Sequence, residues 1–260
     1  MKPYLFVGDL HGNMAAADLA IAEAARHGAT IIQVGDWGFL WGASTRTPPI
    51  DPDDDPDDFG AQLATRLAAP RLIDQTAELS DRLVAAGVAM WFIDGNHDAF
   101  PLLWAYPPGD DNVAPNLTYQ PRGSLRVDAD GTRFVFLGGA VSIDKATRVV
   151  GRSWWPEEAI TPGDVRAAER HGRAHVLVTH DAAALPPGVS DAGVASGHRY
   201  AADENRVHIA TAIAALRPEI HVHGHWHRKY MWRRGRMTTI GLDRDGRDGL
   251  WHHWQRTLED

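Results

Sequence analysis

The sequence predicts a mixed α/β fold with strands inside and helices outside. Short apolar runs alternate with helical segments through the first half of the chain, which is the pattern of strands joined by crossover helices. Toward the C-terminus, strand-like segments follow one another across turn residues, which indicates hairpins and a mixed sheet arrangement. The 260 residues contain no internal repeat and no dividing linker, so we expect one domain over residues 1–260.

The first predicted elements are a strand, a helix and a second strand. Tyr4 to Val7 is an apolar run that ends at a Gly-Asp-Leu-His-Gly loop. Asn13 is a good N-cap for the Ala-rich segment that follows, and Gly28 lies where the glycine after a helix is expected. Thr30 to Val34 is the second apolar run, and it ends at Gly-Asp.

The next stretch has a different composition. Residues 44–58 contain four prolines and six aspartates around almost no apolar residues. We expect an exposed loop or a mobile insertion here rather than a second domain. A repulsive acidic loop could bind a cation, but a solvated surface loop is the favoured interpretation.

The remaining elements are predicted from apolar periodicity and from turn residues. Helices are expected where apolar residues recur every three or four positions, and strands where short apolar runs stop at glycine or at polar residues. In order, these are a helix over 72–86 that ends at Gly87, a buried strand over 89–93, a loop over 107–115, a hairpin of 125–127 with 133–137, a helix that begins at Thr161 and Pro162, a strand over 175–179, a helix over 201–216, a strand over 219–223 and two or three short strands within 229–254.

Composition limits the classes of function and partner. The net charge is −8 and the pI is near 5.9, which disfavours stable binding to nucleic acid or to anionic membranes. The chain contains no cysteine, which excludes disulfides, thiolate metal sites and a cysteine nucleophile. No signal peptide and no run long enough to span a bilayer is visible, so a cytoplasmic location is expected.

Five of the apolar runs end in side chains that can bind metal ions. Open α/β sheets bind ligands at the carboxyl ends of their strands, so we expect these side chains to meet at one rim. Seven donors are too many for one ion and suit two ions with a shared ligand. Imidazole, carboxylate and amide donors without sulfur suit Mn, Fe, Zn or Co. The candidate ligands are Asp9, His11, Asp36, Asn96, His180, His225 and His227.

The motifs at these strand ends resemble those of the calcineurin-like metallophosphoesterases in type and order. They are Gly8-Asp9-Leu10-His11-Gly12, Gly35-Asp36, Gly95-Asn96-His97-Asp98, His180 and Gly224-His225-Trp226-His227, and they span residues 8–227. The resemblance implies a four-layer α/β/β/α sandwich of two mixed β-sheets flanked by helices. It also implies a dinuclear site of divalent metal ions at the carboxyl ends of the strands, with Mn favoured.

The resemblance further implies how the donors are shared between the two ions. Asp36 would bridge them. Asp9, His11, Asp36 and His227 would hold the first ion, and Asp36, Asn96, His180 and His225 would hold the second.

The resemblance also implies a role for His97, which would bind no metal. His97 would be the acid that protonates the leaving oxygen. Asp98 either orients His97 for this catalytic step or caps the next turn, and both interpretations stay open. Asn96, His97 and Arg148 are candidates for binding the substrate, although a surface or structural role is favoured for Arg148.

Two further features narrow the resemblance. Residues 138–144 and 151–158 look like a subgroup found in bacteria and their phages, and we assign them no catalytic role. The phosphoprotein phosphatases carry Asp-Arg-Gly soon after the second motif and Glu after Asn-His, whereas this chain has Trp37-Gly38-Phe39 and Asp98. A phosphodiesterase acting on small molecules is therefore favoured over a protein phosphatase.

We expect a metal-dependent phosphodiesterase that acts on small phosphorylated molecules such as cyclic nucleotides. A hydroxide that bridges the two ions would attack phosphorus in line with the leaving oxygen. The alternatives are a phosphomonoesterase or a nucleotide pyrophosphatase. The negative net charge of the chain disfavours a nuclease. A non-catalytic scaffold is disfavoured because every motif residue is present. The oligomeric state stays open, and a homo-oligomer is compatible with the sequence.

Overall fold

The computed structural model describes residues 3–41, 73–150, 153–190, 196–245, 247 and 249–254. The predicted acidic loop at 44–58 lies outside the described residues. The described helices are α1 (Met14–His27), α2 (Thr76–Ala86), α3 (Phe100–Leu103), α4 (Pro162–Glu169) and α5 (Ser196–Leu216). The described strands are β1 (Tyr4–Val7), β2 (Thr30–Gln33), β3 (Leu40–Trp41), β4 (Ile73–Asp74), β5 (Met90–Phe92), β6 (Leu117–Tyr119), β7 (Ser124–Val127), β8 (Arg133–Leu137), β9 (Val176–Thr179), β10 (Ile220–His223), β11 (Tyr230–Arg234), β12 (Met237–Gly241) and β13 (Trp251–Trp254).

Two mixed sheets form the centre of the fold. The first has five strands in the order β13-β1-β2-β5-β6, in which β13 is antiparallel to β1 and the others are parallel. The second has six strands in the order β11-β12-β10-β9-β8-β7, with a parallel centre and an antiparallel strand at each edge. The parallel strands of each sheet therefore end on a common side.

Alternation of side chains along the strands divides the core into layers. In β1, Tyr4 and Phe6 pack between the two sheets, whereas Leu5 and Val7 pack against helices on the other face. Helices α1 and α2 cover the first sheet, and α4 and α5 cover the second. The architecture is the predicted four-layer α/β/β/α sandwich.

Local sequence signals explain where the helices begin and end. The Asn13 side chain accepts a hydrogen bond from the backbone N–H of Ala16 at 3.2 Å, and Gly28 ends α1 with a φ of 59°. At the start of α4, Thr161 and Asp164 form a capping box in which each side chain accepts from the other residue's backbone N–H. These boundaries confirm the predicted caps. None of the helices in the described part of the chain has the length and apolarity of a membrane span.

The sequence did not predict the shortest elements. Strands β3 and β4 pair over two residues each, α3 has four residues, and β6 has three. Segments of this length hold too few side chains to show a period. Helix α5 begins at Ser196, earlier than predicted. The prediction missed this start because the first turn contains Gly197 and polar residues and so shows no apolar stripe.

Candidate metal centre

The loops that follow five strands meet at one edge of the molecule. They follow β1, β2 and β5 of the first sheet and β9 and β10 of the second. Because the carboxyl ends of parallel strands lie on the same side, these loops bring all seven candidate ligands together. The side chains in this cluster are Asp9, His11, Asp36, Asn96, His180, His225 and His227.

One group of donors combines the first and the last motif. His227 Nε2 lies 3.1 Å from Asp9 Oδ2 and 3.5 Å from His11 Nε2. The Asp9 carboxylate is buried and also accepts hydrogen bonds from the backbone N–H of His225 at 3.1 and 3.2 Å. Donor atoms of Asp9, His11 and His227 all lie within 4.8 Å of one another, which is close enough to share one ion.

A second group of donors surrounds Asn96. Its Oδ1 lies 2.9 Å from His225 Nδ1 and 3.2 Å from His180 Nε2. His180 is oriented by its other ring nitrogen, because Nδ1 donates to the carbonyl of Val34 at 2.8 Å. Burial alone would lower the pKa of His180, but the neighbouring carboxylates, Asp36 foremost, outweigh it and raise the pKa to about 10.

Asp36 lies between the two groups. Its Oδ2 is 3.9 Å from His11 Nδ1, and its Oδ1 is 3.3 Å from His180 Nε2. The backbone N–H of His97 donates to Oδ1 at 2.7 Å. Burial opposes the charged form, but the nearby histidines, His180 foremost, hold the pKa of Asp36 well below its usual range. The carboxylate therefore stays ionised where it can reach both groups.

Four candidate ligands have a left-handed backbone conformation. The φ angle is 48° at His11, 52° at Asp36, 63° at His225 and 49° at His227. Non-glycine residues seldom adopt this conformation, and each instance costs roughly 1–3 kcal/mol, which the surrounding structure must offset. Only seven non-glycine residues in the described part of the chain have such a φ, so backbone strain is concentrated in these loops.

The chemistry of the donor set fits divalent metal ions. Asp9, Asp36, Asn96 and His180 are each at most 3% exposed, so their polar atoms are largely removed from water. Buried carboxylates are stable only when a cation or several hydrogen bonds compensate their charge. Oxygen and imidazole donors without sulfur suit Mn, Fe, Zn or Co.

His97 lies beside the donors and is accompanied by Arg148. The His97 ring centroid is 5.4 Å from that of His11, and His97 Nε2 accepts from Arg148 Nη2 at 2.5 Å. Burial lowers the pKa of His97 to about 4, and the charge of Arg148 acts in the same direction. Arg148 also pairs with Asp144 at 2.7 Å, and its side chain is 7% exposed. The Arg148 guanidinium is therefore buried beside His97 and not on the surface, which leaves the structural role and substrate binding open.

The sequence leaves open whether Asp98 orients His97 or caps the next turn. No hydrogen bond joins them within the residues that the structure describes. The Asp98 carboxylate instead accepts from the backbone N–H groups of Gly95 at 2.7 Å, Gly38 at 3.0 Å and Trp37 at 3.2 Å. Burial raises the pKa of Asp98 to about 7. Asp98 therefore joins the loop after β2 to the loop after β5.

Asp181 is a site residue that the motifs did not single out. Its buried carboxylate accepts from Trp226 Nε1 at 2.8 Å and from Asn205 Nδ2 at 3.1 Å. Trp226 separates two candidate ligands of the last motif, so Asp181 fixes the loop that carries both. The available signal in the sequence was its position directly after His180.

The chain is similar to one known family and to several solved structures. Residues 2–229 match the family model described as calcineurin-like phosphoesterase. No curated protein matches the chain. The protein TT1561 of Thermus thermophilus is 11% identical with a TM-score of 0.54, over 94% of this chain and 89% of that chain. A dimetal phosphatase from Danio rerio is 12% identical with a TM-score of 0.51, over 93% of this chain and 87% of that chain. At these identities the structural likeness shows the fold.

The family match spans every motif that the structure brings together. The matched residues 2–229 include the first candidate ligand, Asp9, and the last, His227. The donor chemistry of the cluster suits the divalent metal ions on which hydrolysis by this family depends. The protein therefore belongs to the calcineurin-like phosphoesterases and is a metal-dependent phosphoester hydrolase.

Proposed function

We propose that the protein hydrolyses phosphodiester bonds of small, nucleotide-like molecules with the help of two divalent metal ions. The observation that carries the proposal is the Asp36 carboxylate, whose two oxygens face the two donor groups. Mn²⁺ is the favoured metal because carboxylate and amide oxygens accompany the imidazoles. One ion would be held by Asp9, His11, Asp36 and His227, and the other by Asp36, Asn96, His180 and His225.

The chain's own residues would position the ester and handle the proton. When bound, such ions supply Lewis-acid charge and an activated water. His97 lies next to His11 and outside the donor set, where it can pass a proton to the leaving oxygen. That step needs the imidazolium form with a proton on Nε2, the nitrogen that faces Arg148 in the structure, whereas burial and the charge of Arg148 lower the pKa of the ring and favour its neutral form. Arg148 must therefore turn from His97 to the substrate before His97 acts.

Arg148 is suited to recognise the phosphate group. A guanidinium presents several N–H donors in a fork that matches phosphate oxygens. Its present partners are Asp144, the ring nitrogen of His97 and, at 3.4 Å, the carbonyl of Asn96. A charged phosphate oxygen is a stronger acceptor for this group than a neutral ring nitrogen. Substrate binding would therefore draw the guanidinium away from His97.

The charge around the site supports a diester over a monoester. At neutral pH a phosphodiester carries one negative charge, whereas a monoester carries up to two. Within the described residues, Arg148 is the one Lys or Arg side chain seen in contact with the donors or with His97, and Asp144 already offsets part of its charge. The protein side of the site is therefore better matched to the singly charged ester.

Model substrates test the proposal directly. We compare kcat/KM on bis(p-nitrophenyl) phosphate with that on p-nitrophenyl phosphate in the presence of Mn²⁺, and expect a preference for the diester of about tenfold or more. Preference for the monoester would overturn the diester assignment in favour of a phosphomonoesterase. Activity that survives complete chelation would overturn the metal centre. A panel of 2′,3′- and 3′,5′-cyclic monophosphates under the same conditions tests the nucleotide class.

A further inference from the structure

Asn96 is the candidate ligand whose orientation is least determined by its own chemistry. The two ends of a carboxamide have similar size and opposite character, because the oxygen accepts and the NH₂ group donates. A flip about the last side-chain bond would turn the NH₂ group toward a bound cation and repel it. The amide must therefore be held in one orientation by its neighbours.

In the structure, the Asn96 amide nitrogen points to Ser142. Asn96 Nδ2 donates to Ser142 Oγ at 3.0 Å. Ser142 Oγ in turn donates to Glu158 Oε2, and the backbone N–H of Ser142 donates to Glu158 Oε1 at 2.9 Å. Asn96, Ser142 and Glu158 are each at most 3% exposed, so water competes little for these hydrogen bonds.

The carboxylate sets the direction of this chain of hydrogen bonds. Burial raises the pKa of Glu158, whereas the hydrogen bonds from the Ser142 hydroxyl and backbone N–H lower it and favour the ionised form. An ionised carboxylate only accepts, so the Ser142 hydroxyl gives its proton to Glu158. Ser142 Oγ is then left as the acceptor, and Asn96 must present its NH₂ group to it. The Asn96 oxygen consequently faces His180 and His225, as observed.

Glu158 is itself tied to the loop that carries Asn96. The Arg122 side chain is 4% exposed and pairs with Asp94. Its Nε donates to Asp94 Oδ2 at 2.7 Å, and its Nη2 donates to the Glu158 carbonyl at 3.1 Å. Asp94 and Asn96 lie in the same loop after β5. Glu158 is therefore held at a set distance from the side chain whose orientation it controls.

We propose that Ser142 and Glu158 are positioning residues that hold the Asn96 oxygen toward the second metal ion. The inference rests on the proposed function, in which Asn96 is a ligand, and it goes beyond that function by assigning two residues that act through Asn96. It also gives a role to Ser142 and Glu158, which lie within the segments 138–144 and 151–158 to which no catalytic role was assigned from the sequence.

Glu158→Gln is the sharpest test, because it is nearly isosteric and reverses the direction of the hydrogen bonds. The new NH₂ group would donate to Ser142 Oγ, which frees the serine hydroxyl to donate to a flipped Asn96. We titrate the metal-stripped, full-length protein with MnCl₂ in a calorimeter. One of the two Mn²⁺ ions should bind about 10–100-fold more weakly, and the other should be unaffected. Ser142→Ala, which removes the acceptor, should give the same result.

Ser80→Ala is the matched control. Ser80 is likewise buried, and its hydroxyl donates to the Pro115 carbonyl at 2.7 Å on α2, away from the candidate ligands. Ser80→Ala should lower the melting temperature about as much as Ser142→Ala does, and it should leave the affinities for both Mn²⁺ ions unchanged. Equal weakening of Mn²⁺ binding by both serine variants would mean general loosening of the fold and would overturn the inference.

A double-mutant cycle shows whether the effect passes through Asn96. In an Asn96→Ala background, Glu158→Gln should cause no further loss of Mn²⁺ affinity, because the group that it orients is gone. A further loss of Mn²⁺ affinity in that background overturns the inference. Wild-type Mn²⁺ affinity in both Glu158→Gln and Ser142→Ala also overturns it. Either result leaves the two-metal centre intact. A wild-type protein that binds no Mn²⁺ overturns the proposed function and the inference with it.

Discussion

Asp36 is the residue through which the two donor groups are connected. Its oxygens face His11 and His180, and one of them also accepts from the backbone N–H of His97. Its backbone φ of 52° is a left-handed conformation that non-glycine residues seldom adopt. A replacement of similar shape would therefore still lose the charge and one of the two acceptor oxygens that these contacts use.

Asp36→Asn should weaken the binding of both metal ions. We expect the affinity for each to fall by roughly a hundredfold or more, since loss of an outer partner alone costs about 10–100-fold. Metal content after gel filtration, measured by mass spectrometry, checks this. Asp164→Asn, which alters a capping carboxylate on α4, should retain its metal. A metal-replete and active Asp36→Asn enzyme would refute the bridging position.

His97→Ala should separate substrates by their leaving groups. A general acid contributes about 10²–10⁴-fold when the departing alkoxide is basic and little when it is a stable phenolate. We expect kcat/KM on alkyl phosphodiesters to fall by that factor and kcat/KM on nitrophenyl esters to fall far less. Equal losses on both classes would reject the acid role. His27→Ala, on the exposed end of α1, is the control that should change neither.

The candidate donors were predictable residue by residue, whereas their partners were not. A donor such as His180 is marked by its position at the end of an apolar run. No comparable sequence pattern identifies Ser142 and Glu158, because they approach Asn96 from segments that are far away in the sequence. For Asp98, adjacency alone left open whether it orients His97 or caps the next turn, and in the fold its carboxylate accepts from three loop N–H groups.

At the scale of elements, the loops after β1 and β2 are in direct backbone contact. The N–H of His11 donates to the carbonyl of Asp36 at 2.8 Å, and that of Gly12 donates to the carbonyl of Trp37 at 3.0 Å. A Cβ atom at Gly38 would lie 2.6 Å from Gly12 N and 2.7 Å from the His11 carbonyl carbon. The close approach of the two loops therefore depends on the absence of a side chain at Gly38.

Gly38→Ala should push the loop that carries His11 away from Asp36. Gly87→Ala is the matched control, because its φ of 65° is similar to the 74° of Gly38 but nothing lies within 4 Å of the added carbon. We expect Gly87→Ala to cost about 1–2 kcal/mol of unfolding free energy and to leave Mn²⁺ binding unchanged. Gly38→Ala should cost more and weaken Mn²⁺ binding, as measured by urea unfolding and calorimetry. Equal effects of both substitutions on Mn²⁺ binding would contradict this account.

Element boundaries were predictable where a side chain or a glycine decides them. Asn13 and Thr161 start helices through hydrogen bonds that are local in sequence, and Gly28 ends one through its own φ. Strand β6 follows a Pro- and Gly-rich loop and exists because β5 offers it an edge. Because a distant segment supplies that edge, no local sequence pattern predicts strand β6.

At the scale of the whole molecule, the sandwich buries histidines that do not belong to the metal centre. His221 on β10 is 1% exposed, and its Nε2 meets Thr179 Oγ1 at 2.8 Å. Burial lowers the pKa of His221 well below its usual range. The folded protein therefore keeps this ring neutral at a pH where an unfolded chain would protonate it.

This burial makes stability depend on pH in a defined direction. Below about pH 6.5 the unfolded chain binds a proton at His221 that the folded protein does not, so the free energy of unfolding falls as the pH falls. The contribution of one such group is up to about 1.4 kcal/mol per pH unit. In urea unfolding of metal-stripped protein between pH 5 and 7, His221→Gln should show a slope smaller by about that amount. An unchanged slope would show that His221 binds a proton as readily in the folded protein as in the unfolded chain.

The two-sheet arrangement could be stated before the structure because the motifs resemble a known family. Apolar periodicity by itself predicts strands and helices and does not say which strands share a sheet. The pairing of Tyr4 with Trp254 joins opposite ends of the described chain. Such a pairing is decided by the packing of the whole core between the sheets.

The spread of the proposed donors along the chain has a consequence for biosynthesis. They run from Asp9 to His227, and each donor group draws on loops from both sheets. A ribosome releases the chain from its N-terminus, so Asp9 and His11 emerge long before the histidines that complete their group. Under the proposed assignment, neither ion can have its full set of donors until the last motif, which carries His225 and His227, has left the ribosome.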